Sequence, residues 1–290
     1  MSWEHGTAGV GENFAPSVTG HAEHEQAYLR HWLDQGYAVA ATDYIGLGTP
    51  GGHAYLDGRA EAHAGIDMVR AALATDDSLA SKWVAIGQSQ GGGAAVFTAA
   101  LATTYAPELD FRGAVATAPG GGVLSVEIII AYSHPAAPPV SIGPSTTSYI
   151  AYVLAGLHNA RPEFKPEAYL STLGKRIYAE AQTSGILEMI EKTEGITPDL
   201  LFSHTLSDGP FRSLAHSLYD FPISGYDRPL FLGQGLVDVD VPAPLTVDLV
   251  MRLSDAGFQP EVHYYPDQDH LGTMVASLAD STPFVAQLFA

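Results

Sequence analysis

Three side chains able to cooperate in acyl transfer stand on short connections in this sequence, each just after an apolar run. Ser89 lies in Gly87-Gln88-Ser89-Gln90-Gly91, after Trp83–Ile86 and before an alanine-rich stretch. Asp238 follows Pro229–Leu232 in Gly233-Gln234-Gly235-Leu236-Val237-Asp238. His270 follows Val262–Tyr265 in Pro266-Asp267-Gln268-Asp269-His270. A serine hydroxyl is a poor nucleophile until a base takes its proton, and a third group must orient that base. Serine, aspartate and histidine, in that chain order, supply nucleophile, orienting acid and base. Asp240 is the alternative acid; its place before Val241-Pro242 also suits a helix cap or a solvated position. The chain has 12 histidines, and His270 is set apart by its placement after a strand. Asp267 and Asp269 read mainly as polar loop residues.

Acyl transfer also needs donors for the oxyanion that develops on the carbonyl. The backbone N–H of Gln90, next to the serine at the start of a helix, is one candidate. The other is the N–H of Thr7 in His5-Gly6-Thr7-Ala8-Gly9, with that of Gly6 close behind. The glycines two before and two after Ser89 leave room for a strand and a helix to approach closely around a sharp turn.

The elements that must hold these residues follow from periodicity. Tyr37–Thr42, Trp83–Ile86, Phe111–Ala118, Pro229–Leu232 and Val262–Tyr265 read as short strands apolar on both faces. Helical spacing occupies Ala22–Gln35, Arg59–Ala74 and Gln90–Tyr105. Strands alternating with helices predict an α/β fold with a parallel sheet covered on both sides. The alternation breaks between Pro119 and Tyr226, where Lys165-Pro166-Glu167 and Thr197-Pro198-Asp199 each open a helix. The expected organisation is therefore a core of residues 1–118 and 227–290 with a mostly helical insertion at 119–226.

Composition bounds the remaining function classes. With 290 residues and 46% hydrophobic content, the chain can build a sizeable core. It has no cysteine, hence no disulfide and no thiolate nucleophile. Thirty-two acidic residues against 13 basic ones give a formal charge of −19. That balance opposes binding to nucleic-acid phosphates and fits an acidic enzyme, with solubility and tolerance of high salt. The start, Met1-Ser2-Trp3-Glu4-His5, carries no basic, apolar leader pattern. The apolar run Val126–Tyr132 contains Glu127, is soon followed by Pro135, and is far shorter than the ~20 residues of a membrane span. His21 and His24 share a helix face at i, i+3, but no third metal ligand accompanies them, so neither metal nor cofactor is expected.

Taken together, these blocks resemble the α/β-hydrolase superfamily, and within it the secretory lipase family. The likeness rests on HGTAG with Ala15-Pro16-Ser17, Thr42–Gly58 (TDYIGLGTPGGHAYLDG), Ile66–Ala72 and GQSQGGGAA, and more loosely on QGLVDVDVP and DQDHLG. The resemblance implies a carboxylic-ester hydrolase with a helical lid inserted before the acid-bearing strand. By position it makes Ser89 the nucleophile, Asp238 the acid and His270 the base, and it points to secretion. Family members usually carry further sheet strands before the HG turn, where this chain has only Ser2-Trp3-Glu4. They also often carry cysteines, for example where Phe14 stands here. The strand under the oxyanion loop should then be very short. The Tyr37–Thr42 strand should lie near an exposed sheet edge, open to pairing with a second subunit. The expected substrate is a small-molecule ester of short to medium chain. The segments Val123–Tyr132 and Ser148–Leu157 could line its acyl pocket. The alternatives are peptide or amide hydrolysis on the same triad, and a non-catalytic binding module on the same scaffold.

Overall fold

The short apolar runs form one sheet, in which every paired strand is parallel to its neighbour. The computed structural model describes residues 1–134 and 143–290; the Pro135 noted above lies outside them. The strands are β1 (Ser2–Glu4), β2 (Ala40–Ala41), β3 (Lys82–Gln88), β4 (Asp110–Thr117), β5 (Leu230–Gly235) and β6 (Glu261–Tyr265), in the order β2-β1-β3-β4-β5-β6. All six residues of β5 are buried, as expected of a strand covered on both faces, whereas β6 at the edge is not. Each expected strand is present. The largest difference is β2, two residues long where Tyr37–Thr42 was expected. Its ladder is limited by its one neighbour among the described residues: Ser2 pairs with Ala40 and Trp3 with Ala41, and β1 has only three residues to offer. β2 is the sheet edge, as anticipated.

Short as it is, β1 is well anchored. Its side chains alternate between the two sheet faces. Trp3 is fully buried with Tyr28 and Trp32 of α2 (Glu23–Asp34), after the one-turn α1 (Pro16–Thr19). Full burial of so large an aromatic is worth roughly 2–3 kcal/mol, a large return for three residues. On the other face, Glu4 packs against α3 (Gly58–Thr75), where a Cβ at Gly65 would lie 2.2 Å from Glu4 Oε1.

α4 (Gln90–Tyr105) follows β3 and is buried along most of its length. Between β4 and β5 lie α5 (Val123–Tyr132), α6 (Thr146–Ala160), α7 (Thr172–Ala181), α8 (Ile186–Lys192) and α9 (Phe211–Tyr219). These helices share an apolar cluster that includes Tyr152, Phe164 and Phe211. Two of its buried phenols are satisfied: Tyr152 donates to Ser184 O at 2.9 Å and Tyr219 to Val153 O at 3.1 Å. After β5 come α10 (Ala243–Asp255), α11 (His270–Ala276) and α12 (Leu278–Phe289). No helix among the described residues is long and apolar enough to cross a membrane.

Glu4 is an acid in the core. It is fully buried; Oε1 accepts from Ser2 Oγ at 2.8 Å and Oε2 has no partner among the described residues. Burial pushes its carboxyl up to about 8, with the Ser2 hydroxyl opposing and the charge of Glu61 reinforcing the shift. The folded carboxyl therefore keeps its proton over a range in which the unfolded one has lost it. The folded state binds more protons there, so stability falls as pH rises from the ordinary carboxylate range to about 8. Glu4→Gln should flatten that slope and be the more stable protein at pH 9, by on the order of 4 kcal/mol. Urea unfolding at pH 5, 7 and 9 checks this; parallel curves for the two proteins would refute it.

Candidate active site

The turn between β3 and α4 is built by steric exclusion. Ser89 has φ 61° and ψ −121°, a left-handed conformation costing a non-glycine residue roughly 1–3 kcal/mol. A Cβ at Gly87 would lie 2.1 Å from Gly91 O, and one at Gly91 would lie 1.8 Å from Glu4 O. Only glycine at both positions lets β1, β3 and α4 close around the serine. The strained backbone is held in place: Ser89 N donates to Thr117 O at 3.0 Å, and Ser89 O accepts from Gly93 N at 3.0 Å and Gly120 N at 2.8 Å.

Asp238 and His270 meet after β5 and β6. His270 Nδ1 lies 2.7 Å from Asp238 Oδ2, and both residues are buried, 6% and 5% exposed. Asp238 Oδ1 accepts from the backbone N–H groups of Asp240 and Val241, each at 2.9 Å. A carboxylate held by these two backbone donors keeps its orientation toward the imidazole. Because Oδ2 accepts at Nδ1, the lone pair of the neutral imidazole is left on Nε2. His270 is also fixed through its backbone. Asp269 caps α11 by accepting from Gly272 N at 2.8 Å, and the side chain of Gln88 donates to His270 O at 3.3 Å. That last bond ties the histidine to the residue before Ser89. Among the described residues no hydrogen bond joins Ser89 Oγ to the imidazole. Catalytic hydrogen bonds are often long without substrate and tighten once it binds.

Asp240 neither meets the imidazole nor caps the following helix, and it is half-buried rather than fully solvated. It does not pair with His270, and α10 carries Pro242 at its N-cap with no side-chain cap. Its Oδ1 is buried without a partner among the described residues. Burial raises its pKa, with the charge of His270 opposing. Of the two candidate oxyanion N–H groups near the HG turn, that of Gly6 is taken: it donates to Glu25 Oε1 at 3.1 Å. Among the described residues no acceptor meets the N–H of Thr7 or that of Gln90. Thr7 Oγ1 lies 2.8 Å from the hydroxyl of Tyr55.

Ser89 and Gln90 line an open cavity of about 420 Å³. Its walls are largely apolar, from Ile128, Ile129 and Tyr132 of α5 and Tyr149, Ile150 and Val153 of α6. Asp240 is the only acidic or basic lining residue among the described residues. The volume falls in the range of small-molecule sites, roughly 300–1,000 Å³.

Sequence reasoning assigned nothing to Gln88. The bond it makes joins residues 182 positions apart, beyond the reach of any local pattern. Asp269, read from the sequence mainly as a polar loop residue, is the N-cap of α11; an aspartate just ahead of an apolar helix is the signal that marks it.

A parallel sheet carrying a serine turn, with a paired aspartate and histidine just after later strands, has the arrangement of an α/β-hydrolase. Solved structures agree on the fold. Candida antarctica lipase A superposes with a TM-score of 0.79 at 22% identity, over 99% of this chain and 70% of that one. The rice cell wall degrading esterase LipA from Xanthomonas oryzae gives 0.74 at 18%, over 98% and 79%. Residues 13–195 match the family model of secretory lipases, and the chain belongs to that family. Lipase A of Moesziomyces aphidis is 25% identical over 270 residues, which are 89% of this chain and 55% of that protein. The chain thus spans about half the length of the curated relative it matches.

Proposed function

We propose that this chain is a serine carboxylic-ester hydrolase acting by two-step acyl transfer. The observation that carries the reading is a strained serine turn tied, through the side chain of Gln88, to a buried histidine held by aspartate. His270 Nε2 takes the Ser89 proton as Oγ attacks the ester carbonyl. Asp238 holds the imidazole tautomer and stabilises the imidazolium. The N–H groups of Gln90 and Thr7 receive the oxyanion. His270 then protonates the leaving alcohol, and water, activated by the same base, releases the acid from Ser89. The names of the family and of the similar proteins, lipases and an esterase, support an ester substrate over an amide. The family name also supports secretion.

The helices between β4 and β5 form the lid of this site, and α5 and α6 furnish its acyl pocket. A cavity of about 420 Å³ suits short- to medium-chain acyl groups. A p-nitrophenyl ester series from acetate to palmitate tests this: kcat/KM should peak at short to medium length. Ile129→Trp, which fills part of the cavity, should depress octanoate turnover at least tenfold more than acetate turnover, since acyl-pocket contacts discriminate by roughly 1–3 kcal/mol. An unchanged octanoate-to-acetate ratio would remove the cavity as the acyl site.

A further inference from the structure

The side chain of Gln90 points away from the reaction, into a buried polar knot. Its Nε2 lies 2.7 Å from His53 Nε2 and 2.7 Å from Glu61 Oε1. Both partners are almost fully buried, 2% and 1% exposed. His53 Nδ1 lies 3.0 Å from Ile45 O and so carries the ring proton, which leaves the Nε2 lone pair to accept. One amide N–H thus meets the histidine and the other the carboxylate. Among the described residues Gln90 Oε1 is buried without a partner, so the amide is turned to serve two acceptors at the expense of its own oxygen. The His53 ring is itself held, stacked on Tyr44 with centroids 5.6 Å apart and planes 9° apart.

The same segment reaches the other oxyanion donor. Leu56 N donates to Glu61 Oε1 at 3.0 Å, and Tyr55 OH lies 2.8 Å from Thr7 Oγ1. Asn159 of α6 donates to His53 O at 2.9 Å. Residues 53–56 therefore touch Gln90 through His53 and Glu61, and Thr7 through Tyr55.

We propose that His53 and Glu61 are positioning residues that hold Gln90, and through it the backbone N–H beside Ser89, where the tetrahedral oxyanion forms. The proposal rests on the acyl-transfer reading. A donor aimed at the oxyanion acts chiefly in the transition state, so its displacement lowers kcat and spares KM.

The test compares His53→Phe, Glu61→Leu and Glu61→Gln with the unaltered chain, each confirmed folded by circular dichroism. Two readouts are used: p-nitrophenyl butyrate hydrolysis, and inhibition by a trifluoromethyl ketone, which adds to the serine as a tetrahedral oxyanion. His53→Phe keeps the ring against Tyr44 and remains informative if Glu61→Leu fails to fold. His53→Phe and Glu61→Leu should lower kcat roughly ten- to a hundredfold, hold KM within about threefold, and weaken the ketone by the factor lost in kcat. Glu61→Gln, whose amide oxygen still accepts, should stay within about fivefold of the starting kcat. Unchanged kcat in a folded His53→Phe, weakening of KM rather than kcat, or equal damage from Glu61→Gln and Glu61→Leu would overturn the proposal. An unaltered chain inert to both ester and ketone would instead overturn the acyl-transfer reading beneath it.

Discussion

Ser89→Ala is expected to lower kcat for ester hydrolysis by roughly a millionfold, the scale on which removing the serine of a Ser-His-Asp unit acts. The residual rate is what substrate binding and the oxyanion donors provide without a nucleophile. The fold should survive, because the turn is held by backbone bonds to Thr117, Gly93 and Gly120 that alanine can also make. Ser89→Gly sharpens the test. Glycine adopts φ 61° without the steric cost borne by serine, so this variant should be inactive yet more stable by about 1 kcal/mol. Inactivity together with a raised melting temperature separates a strained functional turn from a merely structural one. Near-normal turnover by either variant would refute Ser89 as nucleophile.

Asp238→Asn is expected to lower kcat by roughly ten-thousandfold with little change in KM. Asparagine is nearly isosteric, and its amide oxygen can still accept from the N–H groups of Asp240 and Val241 that Oδ1 meets now. Its amide nitrogen would then face Nδ1. That donor favours the tautomer with its lone pair on Nδ1 and its proton on Nε2, the wrong one for a base at Ser89. Asp240→Asn should stay within about tenfold of the unaltered chain, because Asp240 makes no bond to the imidazole. Reversal of this order, with Asp240→Asn the crippled variant, would move the orienting role to Asp240. Steady-state kinetics on one butyrate ester suffices.

The sequence carried the architecture where structure is local. β3, the turn and α4 were legible because an apolar run, two glycines and an alanine-rich helix are contiguous there. His270 and Asp238 were placed by their positions after strands. Choosing between Asp238 and Asp240 needed geometry: the two lie two residues apart, and only the first turns Oδ2 toward His270. The length of β2 was illegible because a neighbour 38 residues earlier sets it. The buried acid Glu4 was equally hidden, since a glutamate at the end of a short strand looks solvated until Gly65 and Gly91 are seen pressed against it. The knot around Gln90 joins residues 29 and 37 positions apart, and no period in the sequence links them.

Covalent capture tests the central claim most directly. The chain is treated with a fluorophosphonate, and the adduct is located by peptide mass spectrometry while residual activity on p-nitrophenyl butyrate is followed. One adduct per chain on Ser89, formed in step with loss of ester hydrolysis and absent from Ser89→Ala, is the predicted result. An unmodified Ser89 in a chain that still hydrolyses the ester would contradict it.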